Sequence, residues 1–232
     1  MPFNPLGNFD ATAQFDPRVV AKVRAFEATL PQPPAGHGLK RIYAHWTVST
    51  QGCNFTDYNG EAKFVNGQHV LALTHNPLDE ISGYNSSPEI AGTWHRNTAS
   101  IACAITGMDG ATETNYGPDP VTVAGLTYLC GIMGAFAHRY GIDVHARVGP
   151  ADATAHADNN GDEVNTKGEW NLLTHGEVAV IDGYSSERWD LGSFVPLPSG
   201  LALTPAMRSQ CGDALRLMTW RFMLALGEPT KH

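Results

Sequence analysis

The 232-residue chain is poor in charge, and poorest in positive charge. Asp, Glu, Lys and Arg make up 16% of it, and 15 Lys and Arg stand against 23 Asp and Glu, a net −8 with neutral histidine. No basic stripe is present. Sequence-independent nucleic-acid binding needs clustered Lys and Arg to displace counterions, so this composition argues against it. No apolar run approaches the ~20 residues of a membrane-spanning helix, and no segment repeats. The start, Met1-Pro-Phe-Asn-Pro5, lacks a basic region followed by an apolar one. No secretory signal is therefore visible, and synthesis in a cytoplasm is expected. Cysteines are few and dispersed, at Cys53, Cys103, Cys130 and Cys211. No pair has the Cys-x-x-Cys spacing of a metal knuckle or redox couple, and two lie in apolar patterns that suit small buried hydrophobes.

What is abundant is apolar residues (42%), with 24 Gly and 15 Pro. A chain of this length buries roughly 70% or more of its unfolded surface, and the mix predicts one loop-rich globular unit. Asp16-Pro17 reads as a helix cap followed by proline at the first helical position. Val19, Val20, Val23, Phe26 and Leu30 follow at helical spacing, and Pro31, Pro33, Pro34 and Gly36 end the helix. Residues 1–38 are read as an N-terminal helical extension with a proline-rich linker, and residues 39–232 as the main domain.

Arg41-Ile-Tyr-Ala-His-Trp-Thr-Val48 is apolar on both parities, as in a strand buried on both faces. Tyr43, His45 and Thr47 share one face, and Ile42, Ala44 and Trp46 the other. His69–Thr74 and Ala99–Thr106 read as further strands. Between Val121 and Tyr140 the period becomes helical, with Leu126, Leu129, Cys130, Met133, Phe136, Ala137 and Tyr140 in one stripe and Gly141 as the stop. Leu172–Ile181 reads as a short helix. Thr204-Pro205 opens a last helix, which carries Met207, Cys211, Leu215, Met218 and Phe222 and stops at Gly227. Strands interleaved with helices predict an α/β single domain with a central mixed β-sheet flanked by helices.

Ten histidines are scattered along the chain, and two stand out by context. His45 lies mid-strand, and His175 opens Thr174-His-Gly-Glu-Val-Ala179, with Asp190 15 residues beyond it. Four stretches in order, Tyr43-Ala-His-Trp-Thr47, Trp94-His-Arg-Asn-Thr-Ala-Ser-Ile101, Thr174-His-Gly-Glu-Val178 and Arg188-Trp-Asp-Leu191, resemble the type 2 N-acetylmuramoyl-L-alanine amidases. That family shares the peptidoglycan-recognition-protein fold. The resemblance covers about residues 40–192 and points to the phage-encoded amidase endolysins; His138-Arg-Tyr-Gly-Ile-Asp-Val144 fits the same branch.

The resemblance implies a single zinc ion held by His45, His175 and Asp190. Three N/O ligands with a fourth position for water is the ligand count of catalytic zinc. Such an ion lowers the pKa of its water towards ~7 and polarises a carbonyl. It also implies an orienting tyrosine, best matched by Tyr58, and a cation two residues before the last ligand. The family's lysine there is Arg188 in this chain, able to stabilise an oxyanion but not to donate a proton near neutral pH. A glutamate that some members carry in the strand ending at Thr106 is missing, since Ala104 and Thr106 fill that region. A cleft histidine is displaced by three residues to His95. Trp46, Trp94, His95 and Asn97 are expected to line the substrate groove. The implied reaction cleaves the amide between N-acetylmuramic acid and L-alanine of peptidoglycan, at the bacterial cell wall or in the periplasm. A non-catalytic peptidoglycan-binding module and a zinc hydrolase for a different amide stay open beside it.

Other signatures are incomplete. His175-x-Glu177 begins a zinc deaminase motif, but its Pro-Cys-x-x-Cys partner is missing; Glu177 is expected on a helix surface or beside a ligand. No Gly-x-Ser-x-Gly elbow of a serine hydrolase occurs. Asp158, Asn160, Asp162 and Glu169 match positions 1, 3, 5 and 12 of a calcium loop, yet Glu163 occupies the position that requires glycine. That stretch reads as a solvated acidic loop.

Overall fold

Arg41–Trp46 (β1) is buried along its whole length and lies inside the sheet, paired on both edges. The structure is a computed structural model and describes residues 2–54, 57–81, 96, 99–147, 155–157, 163–165, 168–186 and 188–227. Gly60–Val65 (β2) and Gln68–Leu73 (β3) form an antiparallel hairpin. Its two-residue turn, Asn66-Gly67, has positive φ at both positions (50° and 78°), as a type I′ turn requires. Ser100–Ile105 (β4) runs parallel to both β1 and β2. Two short strands, Ala155–Ala157 (β5) and Glu163–Asn165 (β6), make a separate hairpin. Leu172–Thr174 (β7) completes the main sheet parallel to β1, giving the order β3-β2-β4-β1-β7. The α/β architecture with a mixed central sheet flanked by helices matches the expectation.

Pro17–Thr29 (α1) starts where expected, with the Asp16 carboxylate accepting from the Arg18 N–H. Val123–Tyr140 (α2) is capped by Thr122 and ends at Gly141 in the left-handed conformation. Pro205–Leu226 (α4) is capped by Thr204. One expectation is corrected. Leu172–Ile181 is not a single helix, because Thr174 ends β7 and caps His175–Ile181 (α3), its hydroxyl accepting from the Glu177 N–H while the Glu177 side chain accepts from the Thr174 N–H. That reciprocal capping box sets the strand-to-helix switch at the residue before His175.

The main core lies on one face of the sheet. Ile42, Ala44 and Trp46 of β1, Ile101, Cys103 and Ile105 of β4, and Ala62 of β2 meet α2 there. α2 is buried almost all round because α1 and α4 cover its other side. Gly134 permits the α4 contact: a Cβ there would lie 2.7 Å from the Cβ of Phe222 and 3.1 Å from the Thr219 carbonyl oxygen. Phe9, Val23, Phe26 and Leu30, from the segment before residue 39, belong to this same core. All four cysteines are free; Cys103, Cys130 and Cys211 are buried and Cys53 half-buried. Among the described residues no helix is long and apolar enough to cross a membrane.

The opposite face differs in chemistry. It carries Tyr43 and His45 of β1 and Glu61 and Lys63 of β2, with Leu173, Val178, Trp170 and Tyr184 packed around Tyr43. Polar side chains on a buried sheet face need partners, and the arrangement of those partners forms the site described next.

Candidate metal centre

Strand pairing brings the two histidines together. β1 and β7 are parallel with Ala44 opposite Thr174, so the next residues, His45 and His175, leave the sheet side by side. Their Nδ1 atoms are 3.2 Å apart. Asp190 reaches them from the loop after α3, with Oδ2 3.5 Å from Nδ1 of His175 and 3.9 Å from Nδ1 of His45.

The backbone around Asp190 is built for close approach. The Gly176 N–H donates to the Asp190 carbonyl at 3.0 Å, and a Cβ on Gly176 would stand 2.7 Å from that oxygen. Leu191, fully buried, has φ of 58°, a left-handed conformation that bulky residues rarely adopt. Trp189 packs edge-on against Trp46 at 4.6 Å and lies 5.7 Å from Tyr116. The residues on either side of Asp190 are thus anchored in the main core.

Three acceptor atoms converging at 3.2, 3.5 and 3.9 Å suit a cation between them. The nearest point equidistant from all three is about 2.1 Å from each, and points just out of their plane stay close to the ~2.0–2.2 Å of imidazole and carboxylate bonds to zinc. Burial drives the pKa of His45 well below its ordinary value, with the neighbouring His175 and the charge of Arg188 adding to the effect. The imidazole is therefore neutral and offers a lone pair. His45, His175 and Asp190 are a group able to hold a metal ion, and imidazole-rich sets favour transition metals over magnesium or calcium.

The other expected site residues are placed as follows. Tyr58 is half-buried just before β2, its ring 5.4 Å from that of His45. Burial raises its pKa, and the carboxylates of Asp190, Asp57 and Glu61 raise it further. It keeps its proton and can donate. Arg188 is exposed, and its positive charge acts on His45, Tyr58 and Tyr184. Trp46 is corrected: only 2% exposed, it sits in the main core beneath Trp189 and lines no groove. Its position one residue from His45 puts it on the other face of β1. Trp94, His95 and Asn97 lie outside the described residues, as do Asp158, Asn160 and Asp162 of the calcium template. Glu169, the template's last position, accepts from the buried Arg96 at 2.9 Å, and Arg96 also bonds Asp182 at 2.8 Å.

Glu177 is not on the helix surface, and its hydrogen bonds run to Thr174 and Arg216. It is buried, closes the capping box, and receives Arg216 of α4 at 2.8 and 3.1 Å. Burial raises its pKa while Arg216 opposes the rise.

The sequence reading missed Glu61. β4 pairs Ala104 with His45 on one side and with Glu61 on the other, so all three share one row and one face. Glu61 is fully buried and pairs with Lys63 at 2.6 Å. Asn66-Gly67 between two alternating stretches was the available signal for the hairpin that presents it.

No protein-family model, no curated protein and no solved structure matches the chain. Function therefore has to be argued from the chemistry of these residues.

Proposed function

We propose that the protein is a zinc-dependent N-acetylmuramoyl-L-alanine amidase, hydrolysing the amide between N-acetylmuramic acid and L-alanine of peptidoglycan. The observation that carries the proposal is the convergence of His45 Nδ1, His175 Nδ1 and Asp190 Oδ2 from three distant segments at metal-binding separations. Two imidazoles and one carboxylate fit zinc, and leave a fourth position for water or substrate. When bound, the ion supplies Lewis-acid polarisation and a water acidic enough to attack near neutral pH.

The chain's own groups account for the remaining work. The protonated hydroxyl of Tyr58, beside His45, donates a hydrogen bond to the oxyanion that forms as the carbonyl is attacked. The guanidinium of Arg188 adds positive charge at the open side. Glu61, paired with Lys63, takes the proton from the attacking water and returns it to the amine nitrogen as the C–N bond breaks. It occupies the row of His45, where Ala104 leaves room between them.

The test is the metal content of the purified protein, paired with digestion of peptidoglycan before and after chelation. One zinc per chain, and chelator-sensitive release of new L-alanine amino termini without new reducing sugars, is the expected result. Zinc without release would turn the reading towards a wall-binding module or a different amide. Absence of zinc, with His45→Ala and Asp190→Ala matching the parent, would end it.

A further inference from the structure

Arg208 takes no part in the chemistry above, yet it is buried against the metal centre. It lies in the first turn of α4, 3% exposed. Nη1 donates to the carbonyl of Gly176 at 3.1 Å and of Arg188 at 2.6 Å, and Nη2 to that of Ser185 at 2.8 Å. These carbonyls are spread along the segment with His175 at one end and Asp190 at the other.

Two other buried arginines neutralise carboxylates: Arg96 serves Glu169 and Asp182, and Arg216 serves Glu177 and Asp213. Among the described residues Arg208 hydrogen-bonds only to backbone carbonyls. Its pKa is lowered by burial, with Glu113 and Asp190 opposing from a distance. Two glycines make room for it. A Cβ on Gly176 would lie 3.4 Å from Nη1, and one on Gly192 3.0 Å from Arg208 Cγ.

We propose that Arg208 is the positioning residue of the metal centre: its guanidinium fixes the separation of His175 from Asp190 and thereby sets the affinity for the ion. The inference rests on the zinc reading of the site. α3 is only seven residues long, and the loop after it returns Asp190 to the start of the same helix. The Gly176 N–H bond to Asp190 closes that return at one point, and Arg208 ties it at three more. Without the guanidinium, the carbonyls of Ser185 and Arg188 lose a rigid donor fork. Metal binding would then have to order the loop itself, and residues that orient ligands are typically worth about 10–100-fold in metal affinity.

Arg221 supplies the control. It lies further along α4 and also donates to two carbonyls, of Ala11 at 2.6 Å and Ala13 at 2.8 Å, in the N-terminal segment. Arg208→Met, Arg208→Lys and Arg221→Met are compared with the parent in three measurements: zinc dissociation constant by chelator competition, visible spectrum of the cobalt-loaded protein, and thermal unfolding of the metal-free protein. Arg221→Met should unfold at a lower temperature and bind zinc like the parent. Arg208→Met should bind zinc about 10–100-fold more weakly with an altered cobalt spectrum, and Arg208→Lys should recover part of the loss. The inference is overturned if Arg208→Met, or Arg208→Lys where the former does not fold, binds zinc within about threefold of the parent. Equal weakening in the Arg208 and Arg221 variants also overturns it. A parent that binds no zinc is a different failure, of the metal assignment itself.

Discussion

Replacing Gly176 with alanine probes how closely the Asp190 loop must approach α3. On propensity alone, alanine in place of a helical glycine stabilises by up to about 1 kcal/mol. Against this, the new Cβ would stand 2.7 Å from the Asp190 carbonyl oxygen, about 0.6 Å short of the ~3.3 Å at which carbon and oxygen ordinarily meet. That oxygen cannot simply swing away. It accepts the Gly176 N–H at 3.0 Å, and Arg208 holds the chain two residues earlier, at Arg188. Overpacking of this kind costs about 1–3 kcal/mol, so the clash outweighs the propensity gain. A net loss of about 1 kcal/mol lowers Tm by about 2–4 °C in a chain of this size. The displacement forced on Asp190 is comparable with the ~0.5 Å tolerance of a preorganised site, and zinc affinity should fall about tenfold or more. Calorimetry of the metal-free protein and chelator competition read the two effects separately. A Gly176→Ala protein with a raised Tm and unchanged zinc affinity would refute the reasoning, since the loop would then have slack that the structure denies it.

Three further outcomes follow from particular contacts. Glu61→Gln should keep one zinc per chain but lose about 100-fold or more in release of amino termini from peptidoglycan; it should also unfold more easily, because it leaves the buried Lys63 ammonium without its carboxylate. Undiminished release would remove Glu61 from the proposed mechanism. Gly134→Ala should destabilise by about 1–3 kcal/mol through its contacts with Phe222 and Thr219, while zinc affinity, measured in parallel, stays that of the parent; a weakened site would mean that the helical layer and the metal centre are coupled. His69, stacked on Tyr128 at 4.7 Å, has a pKa lowered by burial and by the charge of Lys22. Below about pH 6.5 the unfolded chain therefore binds more protons than the native one, and the stability present above that value is lost as pH falls towards the lowered pKa. The Tm of the parent should drop more steeply than that of His69→Gln between about pH 6.5 and 5; parallel curves would contradict this.

The helices were the most legible part of the sequence because their ends carry local chemistry. Asp16-Pro17, Gly141, Thr204-Pro205 and Gly227 all mark boundaries that the structure keeps. β1, β3 and β4 were legible within about two residues as apolar runs. β2 was not, because Gly60 lies against Phe136 and Ile132 and the alternating Glu61 and Lys63 face the site instead of solvent. β7 has three residues, too few to display a period, and its apolar character merged into α3. At the site, His45, His175 and Asp190 could be picked out in sequence by resemblance, and the structure brings them together. Glu61 and Arg208 could not, because what gives them meaning is tertiary: the alignment of β2, β4 and β1 in one row, and the docking of α4 on a loop. Trp46 shows the opposite error. It was expected to line the substrate groove, although the parity of the strand already assigned it and His45 to opposite faces.

That parity separates stability from chemistry within a single strand. Ile42, Ala44 and Trp46 face the helices, while Tyr43 and His45 face the polar side. A slip of one residue in pairing would exchange the two sets, burying His45 in the apolar core and turning Trp46 towards Asp190. The difference in polarity between the two parities of β1 opposes such a slip, and the neighbouring pair, β2 with β4, has a polar determinant of register of its own. Asn59 provides it: its side-chain oxygen accepts the Ala102 N–H at 2.8 Å while its own N–H donates to the Ala102 carbonyl at 2.9 Å. Both groups of one β4 residue are thus held by one residue at the entrance to β2, immediately after Tyr58. That contact aligns Glu61 with Ala104, which the separate pairing of β1 with β4 sets opposite His45. On this account the residue that sets the pairing of β2 also fixes where Tyr58 and Glu61 stand along β4, so strand register and the geometry of the proposed site are determined together.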